Sequence, residues 1–137
     1  MDFEMLSHTS EAKFRAYGKT VEERFINAGR AMTDIMFDAA KLSPAVRRHL
    51  IIKGRDGKTL LHNWLEELLF LLDTERFVLV KTEKPKITQI KEMWTLDITL
   101  YGQIANETSP RRGPEVKAVT YAEMEVTPEF VQVVVDV

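Results

Sequence analysis

The stretch Leu60-Leu61-His62-Asn63-Trp64-Leu65-Glu66-Glu67-Leu68-Leu69-Phe70-Leu71-Leu72-Asp73 decides how the rest of the chain is read. Leu61, Leu65, Leu68 and Leu72 recur at the three-and-four spacing of one helical face, and Trp64 and Leu69 widen it. His62, Asn63, Glu66 and Glu67 gather on the opposite face of the first turns. From Leu68 to Leu72 no polar residue intervenes, so the last turns need cover on more than one side. A strand reading fails: strict alternation is absent and the run is long for one strand. The spacing therefore predicts a central amphipathic helix, buried most deeply at its C-terminal end.

The flanking sequence supplies what such a helix packs against. Immediately before it, Gly54-Arg55-Asp56-Gly57 reads as a turn with Asp56 as N-cap, preceded by a strand at His49-Leu50-Ile51-Ile52. Further back, Thr20-Val21-Glu22-Glu23 has the form of a capping box. Val21, Phe25, Ala28, Met32, Ile35 and Met36 then mark one face of a helix running to about Leu42, where Ser43-Pro44 stops it. Ala12 to Tyr17 alternates like a half-buried strand and Gly18 ends it; what precedes reads as a short polar entry. Beyond the central helix the chain is β-rich. Phe77 to Val80 is a short apolar strand broken by Pro85, Ile87 to Ile90 a weaker one, and Trp94 to Tyr101 alternates cleanly. Gly102 to Pro114 reads as a long polar loop, Val116 to Val126 is strand-like, Pro128 punctuates, and Phe130 to Val137 is a final strand. The fold class expected is α+β: two main helices packed against a mixed, largely antiparallel β-sheet, in a single domain spanning 1–137.

Composition narrows the function classes. A chain of 137 residues and 15.8 kDa can bury a real core. Its formal net charge of −2 gives no overall nucleic-acid signature, so contact with RNA would require a local patch. With no cysteine, disulfides, thiolate metal sites and cysteine nucleophiles are excluded, which fits a cytoplasmic location. The opening Met1-Asp2-Phe3-Glu4-Met5-Leu6 lacks the basic-then-apolar pattern of a signal peptide, and no run approaches the roughly 20 apolar residues of a membrane helix. No nucleotide-binding glycine motif and no nucleophile elbow is present.

The end of the chain carries the most suggestive chemistry. Asp136 is penultimate and Val137 carries the α-carboxylate, so two anions sit within one residue of each other. Glu11 precedes the first strand; three carboxylates would converge if the first and last strands lie close. Clustered anions repel unless a cation neutralises them, and hard oxygen ligands favour calcium, magnesium or manganese. Spacing alone leaves a solvated terminus as the competing reading. His8, beside Thr9 and Ser10, reads as a local hydrogen-bonding residue or a member of that site. His62 and Glu66 stand four apart on a helix, but zinc requires a third protein ligand, so they read as a solvated face. Arg111, Arg112 and Lys117 form a small basic patch for phosphates or an acidic partner, against the alternative of solubilising loop charges.

Four segments in order carry a resemblance. His8-Thr9-Ser10-Glu11 with Arg15-Ala16-Tyr17-Gly18-Lys19-Thr20-Val21-Glu22-Glu23 resembles the opening of the archease family. Trp64-Leu65-Glu66-Glu67-Leu68-Leu69 with Asp73-Thr74-Glu75, then Glu115-Val116-Lys117-Ala118-Val119-Thr120-Tyr121, are similar to its inner motifs. Val135-Asp136-Val137 resembles its apolar-Asp-apolar ending. The resemblance implies an accessory protein, not an enzyme. Archeases promote loading of GMP onto a histidine of the GTP-dependent RNA-splicing ligase of tRNA splicing and RNA repair, and allow it multiple turnovers. It also implies a divalent metal, calcium foremost with magnesium or manganese as alternatives, held at positions corresponding to Glu11, Asp136 and Val137. The partner expected is the ligase itself, by protein–protein contact; direct RNA contact is left open, and no membrane is involved. The alternative is a chaperone or specificity modulator of a tRNA methyltransferase. A stand-alone metal-dependent phosphoesterase is a third reading, weakened by the missing base and nucleophile. Three positions depart from the family pattern: Glu11 replaces aspartate, Glu66 replaces asparagine, and Ala122 replaces a histidine.

Overall fold

The structure, a computed structural model, describes residues 1–6 and 11–137. Among the described residues, strands β1 (Phe3–Leu6) and β2 (Glu11–Tyr17) lead into helix α1 (Val21–Met36). A short 3-10 turn (Ala39–Lys41) and β3 (Val46–Gly54) precede helix α2 (Gly57–Glu75). Strands β4 (Phe77–Ile90), β5 (Met93–Ile104), β6 (Ala118–Val126) and β7 (Phe130–Asp136) complete the chain. The strands form two sheets in the orders β1-β2-β7-β6 and β3-β5-β4, with every pairing antiparallel. Each helix touches strands of both sheets, and the buried side chains form one continuous apolar cluster. The expected α+β class holds, the β structure being divided between two antiparallel sheets.

The central helix is built as its sequence dictates. Asp56 caps it, its side chain accepting from the Thr59 N–H at 2.7 Å, and Leu60, Leu61, Trp64, Leu65, Leu68, Leu69, Leu71 and Leu72 are buried. Burial on Leu68, Leu69, Leu71 and Leu72 together means cover on several sides, as the unbroken apolar run requires. Trp64 is fully enclosed, and its indole N–H donates to the Phe25 carbonyl on α1 at 2.8 Å. The helices approach closely there because Gly29 lacks a side chain: a Cβ at that position would stand 2.9 Å from a Trp64 ring carbon. At the other end of α1, Thr20 accepts from Glu23 N–H at 3.1 Å and Glu23 accepts from Lys19 N–H at 2.8 Å, closing the capping box one residue earlier than its usual return.

Strand ends shift by a few residues from the sequence reading, β3 reaching Val46–Gly54, β5 running on to Ile104 and β6 starting at Ala118, and three larger differences follow. Helix α1 ends at Met36, not near Leu42, because Phe37 turns extended and pairs with Arg111 across an isolated bridge. The Arg112 N–H bonds the Met36 carbonyl and the Asp38 N–H bonds the Pro110 carbonyl, so the polar loop straps the helix end. Pro85 does not break the β structure: β4 runs through it with a bulge between Glu83 and Lys86, where Lys84 takes a left-handed φ of 50°. The polar entry contains β1, paired to β2 from Phe3↔Ala16 to Leu6↔Lys13.

Side chains from the helices also finish sheet edges. Glu22 accepts from the Ile87 N–H of β4 at 3.0 Å, Glu66 accepts from the Val119 N–H of β6 at 3.2 Å, and Asn63 donates to the Lys53 carbonyl of β3 at 2.9 Å. Unpaired backbone groups on these edges are thus satisfied within the chain, which blunts pairing with other molecules.

Candidate metal centre at the carboxyl terminus

β7 runs through the middle of the first sheet, between β2 and β6. Val131, Val133 and Val135 face the helices, opposite Ala16, Phe14 and Ala12 of β2. Alternation then sends Gln132, Val134 and Asp136 to the other face, opposite Arg15, Lys13 and Glu11. Most of that outer face is occupied by its own contacts. Arg15 donates to Gln132 at 2.8 Å, Gln132 donates to the Glu123 carbonyl at 2.8 Å, and Lys13 pairs with the Glu123 carboxylate at 3.1 Å. The β6 residues between Thr120 and Glu125 leave the ladder to make those contacts, and Val134 is consequently fully covered.

At the end of this ladder Glu11 stands directly opposite Asp136. Cross-strand partners have Cβ atoms about 4.5–5.5 Å apart, and two like charges in that relation destabilise the sheet. On its other side Asp136 faces Ala118, which brings only a methyl group and no counter-charge. The Lys117 N–H donates to the Asp136 carbonyl at 2.8 Å, fixing the strand at this point. Val137 follows, partly exposed like Glu11 and Asp136. The register therefore brings Glu11, Asp136 and Val137 to one corner of the sheet.

The donor set there is all oxygen. It suits a hard divalent ion such as calcium, magnesium or manganese, and it does not suit zinc, which favours nitrogen and sulfur. Among the described residues no group of three His, Cys, Asp or Glu side chains stands close enough to hold a metal, so the two carboxylates require a further donor such as a Val137 backbone oxygen. His8 lies outside the described residues.

The basic positions have internal partners. Arg111 pairs with Glu115 at 3.2 Å and lies over the Phe37 ring, its guanidinium carbon 4.9 Å from the centroid. Arg112 reaches Asp34 at 3.2 Å and Asp38 at 3.1 Å. Both therefore hold the loop on the end of α1. Arg76, in the left-handed region with φ 56°, also reaches Glu115 at 2.9 Å. Burial pushes the Glu115 carboxyl up, but hydrogen bonds and charge from Arg76 and Arg111 outweigh it and hold the group below its ordinary 4.5. Lys117 is exposed and, among the described residues, makes no ion pair.

His62 and Glu66 turn out to be architectural rather than freely solvated. The His62 ring stacks on Tyr121 at 4.3 Å between centroids, and its Nε2 lies 3.8 Å from Glu66, the residue that finishes the β6 edge. Ala122 is exposed one residue beyond that stack. The four-residue spacing accounts for the approach of His62 to Glu66, but no sequence signal announces the stack on Tyr121 or the bond to Val119.

Two helices packed on two antiparallel sheets is the architecture of a known class of α+β domain. The profile of the Archease protein family (MTH1598/TM1083) matches residues 3–137. A protein archease of Methanosarcina barkeri is 35% identical over 139 residues, covering 98% of this chain and 95% of the relative. One from Methanothermobacter thermautotrophicus is 41% identical over 127 residues, covering 93% and 89%. The solution structure of Methanobacterium thermoautotrophicum protein 1598 superposes with a TM-score of 0.82 at 35% identity, covering 99% of both chains. A Thermotoga maritima crystal structure, described as an archease and possible chaperone, shares the fold at a TM-score of 0.59 and 13% identity, covering 96% and 94%. The chain belongs to the archease family.

Proposed function

We propose that this protein is a metal-binding accessory factor that activates the GTP-dependent RNA-splicing ligase, promoting its guanylylation and repeated turnover. The observation that supports the reading is the direct opposition of Glu11 and Asp136 on the sheet's outer face, beside Val137. Two carboxylates set opposite each other offer converging anionic oxygens, the donor type a hard divalent cation prefers. Glu11 and Asp136 would hold a divalent ion with oxygen from Val137. Bound there, the ion neutralises the carboxylates and supplies a Lewis acid able to attract phosphate oxygens. The chain's own part is positional: β2 and β7 fix the two carboxylates by register, and the Lys117–Asp136 backbone bond holds the last residues against β6.

The alternative, a chaperone-like role toward a tRNA methyltransferase, takes support from the description of the Thermotoga relative as a possible chaperone. Holding unfolded chains calls for a broad apolar surface. Of the large exposed apolar residues, Phe70 and Tyr121 lie on α2 and β6, while Ile51, Met93 and Ile90 share the solvent face of the second sheet, where Lys53, Lys86 and Asp97 interrupt them and no broad apolar surface forms. The activator reading is therefore preferred. Its test is guanylylation of the RNA-splicing ligase by radiolabelled GTP with and without this protein. Acceleration that disappears with Glu11→Gln supports it, and an unchanged rate on adding the protein refutes it.

A further inference from the structure

The second sheet turns one face to the helices and the other to solvent. Its registers align residues of the solvent face in rows across β3, β5 and β4: Arg47–Tyr101–Lys81, His49–Thr99–Glu83, Ile51–Asp97–Lys86 and Lys53–Thr95–Thr88. The alternate positions, among them Ile52, Leu96, Ile98 and Leu100, belong to the core. In a chain of net charge −2, this face gathers Arg47, Lys53, Lys81 and Lys86, with Lys84 exposed in the adjoining bulge.

The two carboxylates on the face are already engaged: Asp97 lies 2.7 Å from His49, and Glu83 lies 3.5 Å from Lys81. Arg47, Lys53, Lys84 and Lys86 make no ion pair among the described residues. The contrast with the rest of the chain is sharp for arginine. The guanidinium groups of Arg15, Arg24, Arg30, Arg48, Arg55, Arg76, Arg111 and Arg112 all have a partner; among the described residues that of Arg47 has no carboxylate or carbonyl partner. Tyr101, partly exposed, sits in the same row as Arg47 and Lys81, with the Lys81 ammonium 5.0 Å from its ring centroid.

We infer that this face binds the phosphate backbone of single-stranded nucleic acid, with Arg47, Lys53, Lys84 and Lys86 meeting phosphates and Tyr101 offering its ring to a base. Charge complementarity carries the choice of occupant. A protein partner would need a desolvated apolar or aromatic centre; Ile51 is the sole aliphatic side chain in these four rows, and the apolar Met93–Ile90 row that follows lies at the hairpin end of the sheet, away from the centre of the face. A polyanionic strand needs no such centre: cations that displace its counterions supply the affinity, and an aromatic flanked by cations supplies a stacking platform. Arg47 and Lys53 stand six residues, about 20 Å, apart along β3, and Arg47 and Lys81 face each other across β5 at about 10 Å, so an extended strand of several nucleotides can meet more than one at once. This inference stands apart from the terminal metal site, and its test uses neither metal nor ligase.

Fluorescence anisotropy of a labelled oligouridylate of about 12 nucleotides, titrated with the full chain in chelator, reads the interaction directly. Each phosphate neutralised on a single strand contributes about −0.7 to the slope of log K against log salt, so four contacts predict about −2.8. The variant Arg47→Gln/Lys53→Gln/Lys86→Gln should bring the slope to about −0.7. Its affinity at low salt should fall by roughly tenfold or more, with an unchanged melting temperature because all three side chains are exposed. Lys19→Gln/Lys58→Gln, which removes two cations elsewhere that make no ion pair among the described residues, should bind like the unaltered protein. The inference is overturned if the unaltered chain shows no binding at low salt, or if the triple variant keeps the original slope. It is equally overturned if the triple substitution abolishes binding to phosphatidylserine vesicles or to polyglutamate while leaving oligouridylate binding intact.

Discussion

Replacing Gly29 by alanine sets two effects of opposite sign against each other. In an unconstrained helix interior the change stabilises by about 1 kcal/mol, since glycine has the poorer helix propensity. Here the new methyl would stand 2.9 Å from Trp64 Cζ2 and 3.1 Å from Leu68 Cδ1, inside van der Waals contact with both. Trp64 cannot swing aside: it is fully buried and anchored by its 2.8 Å hydrogen bond to the Phe25 carbonyl. Leu68, with a flexible end, can yield a little. Overpacking of this kind costs about 1–3 kcal/mol, and a pinned indole places the cost at the upper end. The net expectation is destabilisation by about 1–2 kcal/mol, or a fall in melting temperature of roughly 3–8 °C for a domain of this size. Urea denaturation gives the free energy and near-ultraviolet circular dichroism reports the tryptophan environment. A variant as stable as the parent, with an unaltered tryptophan signal, would refute the close-packing account of the helix crossing.

Three other perturbations probe separate parts of the account. Glu66→Ala leaves the buried Val119 N–H without its acceptor and should cost about 1–2 kcal/mol in urea titration, whereas an unchanged midpoint would mean the β6 edge finds another partner. Arg111→Glu/Arg112→Glu puts like charge beside Glu115, Asp34 and Asp38, so it should weaken ligase activation and also lower the melting temperature, each effect diminishing with salt. Full stability of that variant at low ionic strength would show that the loop does not depend on those pairs. The Asp56 carboxyl is held below its ordinary 3.8, first by the backbone hydrogen bond from Thr59. A lowered folded-state pKa stabilises fully above the unfolded value and is lost as pH falls through the folded one. Asp56→Asn should therefore flatten the acid limb of the stability profile below about pH 4, and an identical acid limb in both proteins would count against the cap.

The parts of this fold that were legible in sequence are those determined by nearby residues. The leucine spacing from Leu61 to Leu72 and the Asp56 cap recur in α2 as read, because helical periodicity and capping act within a few residues. The end of α1 was misjudged because its stop signal, pairing of Phe37 with Arg111, comes from far along the chain. Pro85 looked like a break because sequence does not reveal that a bulge leaves its missing N–H outside the ladder. The β1 strand is too short to show an alternating pattern. The edge contacts of Glu22, Asn63 and Glu66 have no local signature at all.

The terminal corner lies between these cases. Residue chemistry drew attention to Glu11, Asp136 and Val137, but sequence could not say whether the first and last strands are neighbours; the β2–β7 register answers that. Conversely, the basic pair Arg111-Arg112 stood out by composition, and its carboxylate partners appear only in three dimensions. The solvent face of the second sheet has no signature in the sequence because its cations come from β3 and β4, on either side of β5.

The most direct test of the central claim is calorimetric titration of the purified protein with calcium, and in parallel with manganese, before and after Asp136→Asn. The substitution preserves size and leaves β7 paired while removing one anionic oxygen donor. The account predicts saturable binding by the unaltered chain and at least about tenfold weaker binding by the variant, with the variant at least as stable as the parent in chelator because one of two opposed like charges is gone. Equal affinity in the two proteins would contradict the assignment of the ion to this corner.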